Sequence, residues 1–182
     1  MPESLVTPEK RRTFAARMDT SSRFKINLDE VPAGGLQRSW HLDDSFFSEL
    51  DEQEIEQGRL DATLHVTKSS GIFKFHFEVQ GYVYIPCDRC LEPMRQDIVA
   101  QDTIQVRMGQ TMEDDGESIT VPADKPEWDV AWNLYETIAL AIPIYHAHPD
   151  GQCAVDMEQL LDSMESLQTQ TDTRWDALKG LF

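Results

Sequence analysis

The segment LDATLHVTKSSGIFKFHFEV (residues 60–79) decides the fold, because apolar and polar residues alternate on both sides of a central turn. Apolar side chains occupy every second position of each run: Leu60, Ala62, Leu64 and Val66 before the turn, and Phe73, Phe75, Phe77 and Val79 after it. A period of two is typical of a strand with one buried face. Two such runs across Ser69–Gly71 therefore predict an antiparallel hairpin.

The extended pattern continues outward from this hairpin in both directions. Downstream, alternation runs through Gly81 to Ile85, which predicts one long strand that bends at the glycine and leads directly into Cys87. Ile98, Ile104 and Val106 mark further extended chain before an acidic loop at 112–118. Upstream, residues 23–28 and 36–42 also alternate. The acidic stretch 43–57 is interpreted as a short helix or a structured loop.

The periodicity changes after Pro126, where apolar residues recur at spacings of three and four. The spacing predicts a mostly buried helix over 128–142 that ends before Pro143, and a second helix over 154–167. Strands followed by helices favour an α+β fold. We expect an antiparallel sheet from the N-terminal two-thirds, with closure into a barrel as one option, and helices in the C-terminal third.

We divide the chain into three parts on these patterns. Residues 1–22 form a flexible basic arm, residues 23–167 form a single domain, and residues 168–182 form a polar linker with a short final helix.

The charge is strongly negative and unevenly distributed. The 182 residues carry a net charge of −17, but residues 1–25 hold six Lys/Arg against three acids, which leaves 10 bases against 30 acids, or −20, on the rest. Such a body repels phosphate backbones and favours a monomer. The arm could contact an anionic partner, although a solvated terminus is the more ordinary interpretation. Its candidate binding residues are Lys10, Arg11, Arg12 and Arg17.

Targeting signals and disulfide patterns are missing from the sequence. No stretch approaches the roughly 18 apolar residues that span a bilayer. The charged N-terminus is not followed by the apolar run of a secretory signal. Three cysteines make an odd number, which argues against a closed disulfide framework. We therefore expect a cytoplasmic protein without membrane contact.

All three cysteines belong to two segments that could meet in space. Cys87 and Cys90 form a C-x-x-C after the long strand, and His146, His148 and Cys153 lie together far downstream. Three thiolates and one imidazole would make a closed tetrahedral zinc site. Reduced, partly buried thiols are an equally strong alternative. A redox dithiol is weaker, because such motifs usually open a helix and Pro93 follows Cys90 closely.

The remaining candidates favour surface or core roles. His41, His65 and His76 fall on the polar faces of predicted strands, and Trp128 and Trp132 fit a core better than a base-stacking platform. The sequence contains no P-loop, no G-x-G-x-x-G, no H-E-x-x-H and no G-x-S-x-G. Nothing assembles an active site, so we do not expect an enzyme.

The segments CDRCLEP (87–93) and PIYHAHPDGQC (143–153) resemble the bacterial YceD family, which is described as large ribosomal RNA subunit accumulation proteins. Supporting features are FKINL (24–28) and ETIALAIP (136–143) in the expected order. The resemblance covers about residues 20–160 and leaves the terminal RWDALKGL (174–181) outside the common core. It places the family's Cys pair on Cys87 and Cys90, and its downstream His and Cys on His148 and Cys153, so His146 is the weaker ligand.

The resemblance implies an accessory role in the synthesis, processing or stability of large-subunit ribosomal RNA. A body at −20 should reach that task by binding basic ribosomal proteins or assembly factors, with RNA contact restricted to the arm. Cys87, Cys90, His148 and Cys153 would form a structural cluster able to hold one zinc ion. The alternatives are a thiol–disulfide oxidoreductase or metal-dependent hydrolase that uses Cys87 and Cys90, and a binding module without a ribosomal link.

Overall fold

The computed structural model describes residues 22–50, 55, 57–115 and 118–168. The predicted arm with Lys10, Arg11, Arg12 and Arg17, and the C-terminal segment 169–182, lie outside these residues.

The described chain is mostly sheet, with helices before and after the long strands. The strands are β1 (Lys25–Asn27), β2 (Leu36–Leu42), β3 (Gln57–Ser69), β4 (Ile72–Pro86), β5 (Pro93–Gly109), β6 (Glu113–Asp114), β7 (Ser118–Pro122) and β8 (Glu127–Asp129). The helices are α1 (Asp44–Glu49), α2 (Ala131–Ala139) and α3 (Val155–Gln168). The mixed α+β class is confirmed.

The predicted hairpin is confirmed as the centre of the sheet. Strands β3 and β4 pair antiparallel from Gln57 opposite Tyr84 to Ser69 opposite Ile72. Their two-residue turn has positive φ at both positions, 51° at Ser70 and 81° at Gly71. Such turns match the right-handed twist of the strands that they join.

The sheet is open, so closure into a barrel was wrong. Its strand order is β2-β3-β4-β5-β7-β6, while β1 pairs with β8 in a separate two-stranded sheet. The outer strands β2 and β6 are therefore not paired with each other. The all-antiparallel expectation also fails at one place, because β7 runs parallel to β5, with Ile119 opposite Val106. Alternation fixes which side chains are buried, but it does not fix strand direction.

One face of the sheet carries the core. The odd positions of β4 from Phe73 to Ile85 are buried, apart from Gly81. Helices α1 and α2 pack on the side of the sheet to which these buried side chains point. Phe24, Phe46 and Phe47 are fully buried there, and the Phe46 ring lies 5.3 Å from Phe24 and 5.2 Å from Phe47. The acidic stretch expected as a helix or loop supplies α1, whose first turn is capped by Asp43.

The other face of β3, β4 and β5 points away from this core, and we call it the open face. It consists of the residues that alternate with the buried ones, among them Arg59, Asp61, His65, Lys74, His76, Glu78, Tyr82, Tyr84, Arg95, Asp97 and Arg107. His65 and His76 are partly exposed there, and His41 on β2 is exposed. The prediction that these histidines lie on the solvent side is confirmed.

The two longer helices differ from expectation in informative ways. Helix α2 begins at Ala131 because Trp128 belongs to β8, where it is buried and donates from its indole Nε1 to Asn133 Oδ1 at 3.0 Å. Helix α3 lies close to its predicted bounds, but its apolar residues are not buried: Leu160 is 52% exposed and Met164 is 51% exposed. None of the described helices is long and apolar enough to cross a membrane.

The backbone conformation of Gly81 yields the first prediction. Its φ is 153°, and a Cβ atom there would lie 2.2 Å from the Arg59 carbonyl oxygen and 2.6 Å from Leu60 Cα. We expect Gly81→Ala to lower the free energy of unfolding by more than about 2 kcal/mol, because both obstacles are backbone atoms of the paired strand. Urea unfolding followed by tryptophan fluorescence measures this change.

Gly34→Ala is the matched control. No atom lies within 4 Å of a Cβ placed at Gly34, and its φ is not in the left-handed region. We expect that variant to stay within about 0.5 kcal/mol of the wild type. Equal unfolding midpoints for the two variants would show that position 81 does not need glycine.

Candidate metal centre

The C-x-x-C motif forms a tight knuckle at the end of the hairpin. The backbone N–H of Cys87 donates to the Glu92 carbonyl, and the N–H of Leu91 donates to the Cys87 carbonyl, both at 2.9 Å. Leu91 closes this turn with a φ of 63°, a conformation that costs a non-glycine residue free energy. The knuckle therefore brings the chain from β4 into β5 with both thiols near the turn.

The downstream loop is attached to the knuckle by backbone contacts. Asp88 N–H donates to the His146 carbonyl at 2.9 Å, and His146 N–H donates to Asp88 Oδ2 at 2.7 Å. The Arg89 guanidinium lies 3.5 Å from Asp150. These contacts align the loop 143–153 against the knuckle, and Asp88 and Arg89 had no role in the sequence analysis. Their position between the two cysteines of the C-x-x-C motif was the sequence feature that could have identified them.

Four ligand atoms converge where the two segments meet. Those of Cys87, Cys90, His148 and Cys153 all lie within 4.8 Å of one another. The Sγ atoms of Cys87 and Cys153 are 4.0 Å apart, and Cys90 Sγ is 3.4 Å from His148 Nδ1. Tetrahedral zinc with bonds of about 2.0–2.3 Å separates its ligand atoms by roughly 3.4–3.8 Å. The four residues thus lie close enough together to hold a metal ion, and their spacing is compatible with zinc.

The three cysteines are free thiols rather than a disulfide with one remainder. A disulfide holds its sulfurs at about 2.05 Å, well below the 4.0 Å between Cys87 and Cys153. All three are buried, at 0%, 6% and 5% exposure for Cys87, Cys90 and Cys153. Three buried thiol ligands around one point favour zinc, Cu(I) or iron–sulfur chemistry over Mg²⁺ and Ca²⁺, which prefer oxygen ligands.

Backbone donors stabilise negative charge on Cys87 and Cys90. Burial raises the pKa of Cys87, but N–H groups of Cys90, His148 and Arg89 outweigh it and lower the pKa to about 6. The N–H of Ala154 does most to lower the pKa of Cys90, against the effect of burial. Cys87 and Cys90 in turn raise the pKa of His148. Thiolates are the species that a metal ion binds, so this donor set prepares the site for a cation.

Cys153 differs from its neighbours in this respect. Burial and the nearby thiols of Cys90 and Cys87 raise its pKa to about 11. Without a cation, a third negative charge in the cluster is therefore unfavourable. A divalent ion would remove that repulsion, since it draws the proton from a coordinating thiol.

His146 is held away from the cluster. Its Nδ1 lies 3.0 Å from the Pro143 carbonyl oxygen, and its Nε2 lies 3.6 Å from Asp88 Oδ1. Both ring nitrogens therefore have partners outside the thiol cluster. The two neighbouring histidines therefore differ in role: His148 belongs to the cluster, and His146 belongs to the loop that supports it.

The geometry fits a closed structural site. Three sulfurs and one nitrogen fill a tetrahedral shell and leave no position for substrate or water. The residues around the cysteines are apolar: Met94, Ala147, Ala154 and Met157 pack against them. Residues 88–90 form a turn and not the start of a helix, unlike the usual setting of redox dithiols. The cluster joins the sheet to the N-terminal end of α3.

Comparison with known proteins gives one match. A family model described as "Large ribosomal RNA subunit accumulation protein YceD" matches residues 75–182, more than half of the chain. No curated protein matches, and no solved structure matches. The matched region begins later than residue 20 and includes 174–181, so the expectation that this terminal segment lies outside the common core was wrong.

We expect the purified protein to bind one zinc ion per chain, because the four ligand atoms lie within 4.8 Å of one another and match the ligand number of a structural zinc site. His148→Ala and Cys90→Ser should each lose the ion, whereas His146→Ala should retain it as the matched control. Metal content is measured by mass spectrometry after purification under reducing conditions. Equal zinc content in the two histidine variants would contradict this assignment of ligands.

Removal of the metal should loosen one part of the chain selectively. A chelator should raise amide hydrogen exchange in residues 143–157, because the cluster holds this loop to the knuckle. The β3–β4 hairpin should keep its protection, since its core is separate from the cluster. Uniform loss of protection would show that the metal supports the whole domain instead.

Proposed function

The chain belongs to the YceD family of large ribosomal RNA subunit accumulation proteins, and on this premise we propose that it is a non-enzymatic accessory factor in the synthesis, processing or stability of large-subunit ribosomal RNA. The family match is the observation that carries the proposal. Ribosome assembly in the cytoplasm is the setting that this role requires.

Burial of the thiol cluster supports a role without catalysis. An oxidoreductase that used Cys87 and Cys90 would need a thiol that a substrate can reach, and both are almost completely buried. A metal hydrolase would need an open coordination position with a general base beside it. Four protein ligands from the cluster would leave no such position. The cluster is better suited to stabilise the loop and α3 with one structural zinc ion.

Charge supports basic proteins as the direct partners. The sequence beyond residue 25 carries 30 acids against 10 bases. Ribosomal proteins are basic because they neutralise RNA phosphates, so an acidic surface attracts them and competes with nonspecific RNA contact. We propose that the protein binds ribosomal proteins or assembly factors as a monomer through acidic parts of its surface.

Helix α3 has the features of such a contact. Its 14 residues contain four acids and no base. Its apolar side chains Leu160, Leu161 and Met164 are exposed at 52%, 38% and 51%. An acidic helix with an open apolar stripe complements a basic amphipathic segment, whose apolar face it can cover and whose charge it can pair. Met157 packs against the cluster and so anchors the start of the helix.

Depletion of the protein in its own cell should lower the ratio of large- to small-subunit ribosomal RNA. The reason is that an accumulation factor for one subunit affects that subunit's RNA selectively. Gel quantification of both RNAs and sucrose-gradient profiles measure the effect, with wild-type complementation as the control. An unchanged ratio would remove the support for the proposal.

The partner surface has its own test. Leu161→Ser combined with Met164→Ser should weaken binding of total proteins extracted from large subunits at least tenfold, because the apolar stripe is lost. Leu140→Ser is the matched control, since Leu140 is 84% exposed but lies at the end of α2. Bound proteins are identified by cross-linking and mass spectrometry. Equal capture by both variants would exclude α3 as the contact, while a fall in RNA ratio on depletion would still support the cellular role.

A further inference from the structure

The open face carries slightly more basic than acidic residues on its three long strands. Its bases on β3, β4 and β5 are Arg59, Lys74, Arg95 and Arg107, and its acids are Asp61, Glu78 and Asp97. Four bases against three acids give a local charge of +1, in a chain whose net charge is −17. Charge alone therefore permits an anionic ligand on this face, whereas the net charge of −17 disfavours one over the chain as a whole.

Two tyrosines lie on this face near the C-terminal end of the central strand β4. Tyr82 and Tyr84 are separated by one buried residue, so their rings project to the same side of the central strand β4. The ring centroids are 5.8 Å apart and the planes are nearly perpendicular, at 88°. Tyr84 is 39% exposed. The strand pattern alone would be satisfied equally well by a polar residue at this position.

Two arginines flank the tyrosines from the neighbouring strands. Arg59 on β3 is opposite Tyr82, and Arg95 on β5 is opposite Tyr84. The Arg95 guanidinium lies 4.0 Å from the Tyr82 ring centroid. The carboxylate of Asp97 accepts from Arg95 Nε at 3.0 Å, which fixes the guanidinium in this orientation. Three adjacent strands therefore present the planar guanidinium of Arg95, the exposed ring of Tyr84 and the second cation Arg59.

This arrangement is suited to unpaired nucleobases. Two aromatic rings at i and i+2 on a central strand of an open antiparallel sheet are the geometry on which single-stranded RNA stacks its bases. Arginine planes also stack on bases and contact the phosphates between them. A duplex keeps its bases paired and presents mainly phosphates to a sheet surface. Its high negative charge density would also be repelled by the acidic residues around the platform. The platform therefore favours a short unpaired segment.

We propose that Tyr82, Tyr84, Arg59 and Arg95 on the open face form a binding site for single-stranded RNA. Tyr84 stacks one base, the outer plane of Arg95 stacks a second, and Arg59 contacts a phosphate. The footprint is only a few nucleotides, since the acids Asp61 and Asp97 adjoin the platform. The site goes beyond the proposed function, which requires protein contacts alone, and it differs from the predicted RNA contact through residues 10–17.

The test is fluorescence anisotropy of the full-length protein with a labelled 12-nucleotide oligouridine in low salt. We expect micromolar binding to the single strand and weaker binding to a 12-base-pair RNA duplex. Tyr84→Ala should weaken single-strand binding about tenfold, and Tyr84→Phe should leave it unchanged because the ring is kept. Arg59→Gln should lower the magnitude of the salt slope by about 0.7, the contribution of one phosphate contact on a single strand.

Controls separate the platform from other surfaces. Arg38→Gln is matched to Arg59→Gln, since Arg38 lies on β2 opposite the buried Leu64 and thus on the other side of the sheet. It should not change the affinity. The proposal is overturned if the full-length protein binds no oligouridine, or if Tyr84→Ala and Arg59→Gln bind as the wild type does. It is also overturned if joint replacement of Lys10, Arg11 and Arg12 by Gln abolishes binding while the platform variants retain it. Unfolding midpoints of all variants confirm that each chain is folded.

Discussion

The inward row of side chains along β4 is the constraint on which the rest of the structure depends. Every second position from Phe73 onward faces the core, and the same alternation leads through Val83 and Ile85 to the buried thiol of Cys87. Because the strand keeps one register over its whole length, the hydrophobic core determines where the first ligand of the cluster lies. Gly81 allows this continuity, since a side chain there would collide with the backbone of the paired strand β3.

The same alternation assigns opposite tasks to the two faces of the sheet. The inner face is filled by phenylalanines and covered by α2, and it provides the stability of the domain. The outer face carries the polar half of the same strands, including the tyrosines and arginines of the platform. Acidic residues dominate elsewhere, most clearly along α3. The surface is thus divided into one region suited to bases of RNA and another suited to basic protein segments.

The sequence predicts local features of this molecule well and long-range features less well. Periodicity was enough to predict the β3–β4 hairpin and the approximate bounds of α3. Ligand chemistry was enough to group four residues as one candidate metal site: Cys87, Cys90, His148 and Cys153. The parallel pairing of β7 was not predictable, because direction depends on how the chain returns after β5. Trp128 was assigned to a helix because a spacing of four to Trp132 fits α2, while its strand pairing with Ile26 involves residues a hundred positions away. Tyr82 and Tyr84 fit the predicted strand, but the alternation does not indicate that their rings lie beside two arginines of neighbouring strands.

The separation of the cluster's ligands along the chain has a consequence for the order of folding. Cys87 and Cys153 are 66 residues apart, whereas the two strands of the hairpin meet across a two-residue turn. Closing a loop of that length costs roughly 4 kcal/mol of chain entropy. The hairpin can nucleate from neighbouring residues, while closure of the cluster must wait until the sheet and α2 have shortened the effective loop. We therefore expect the knuckle at 87–90 to form with the sheet, and the loop that carries Cys153 to complete the site late in folding.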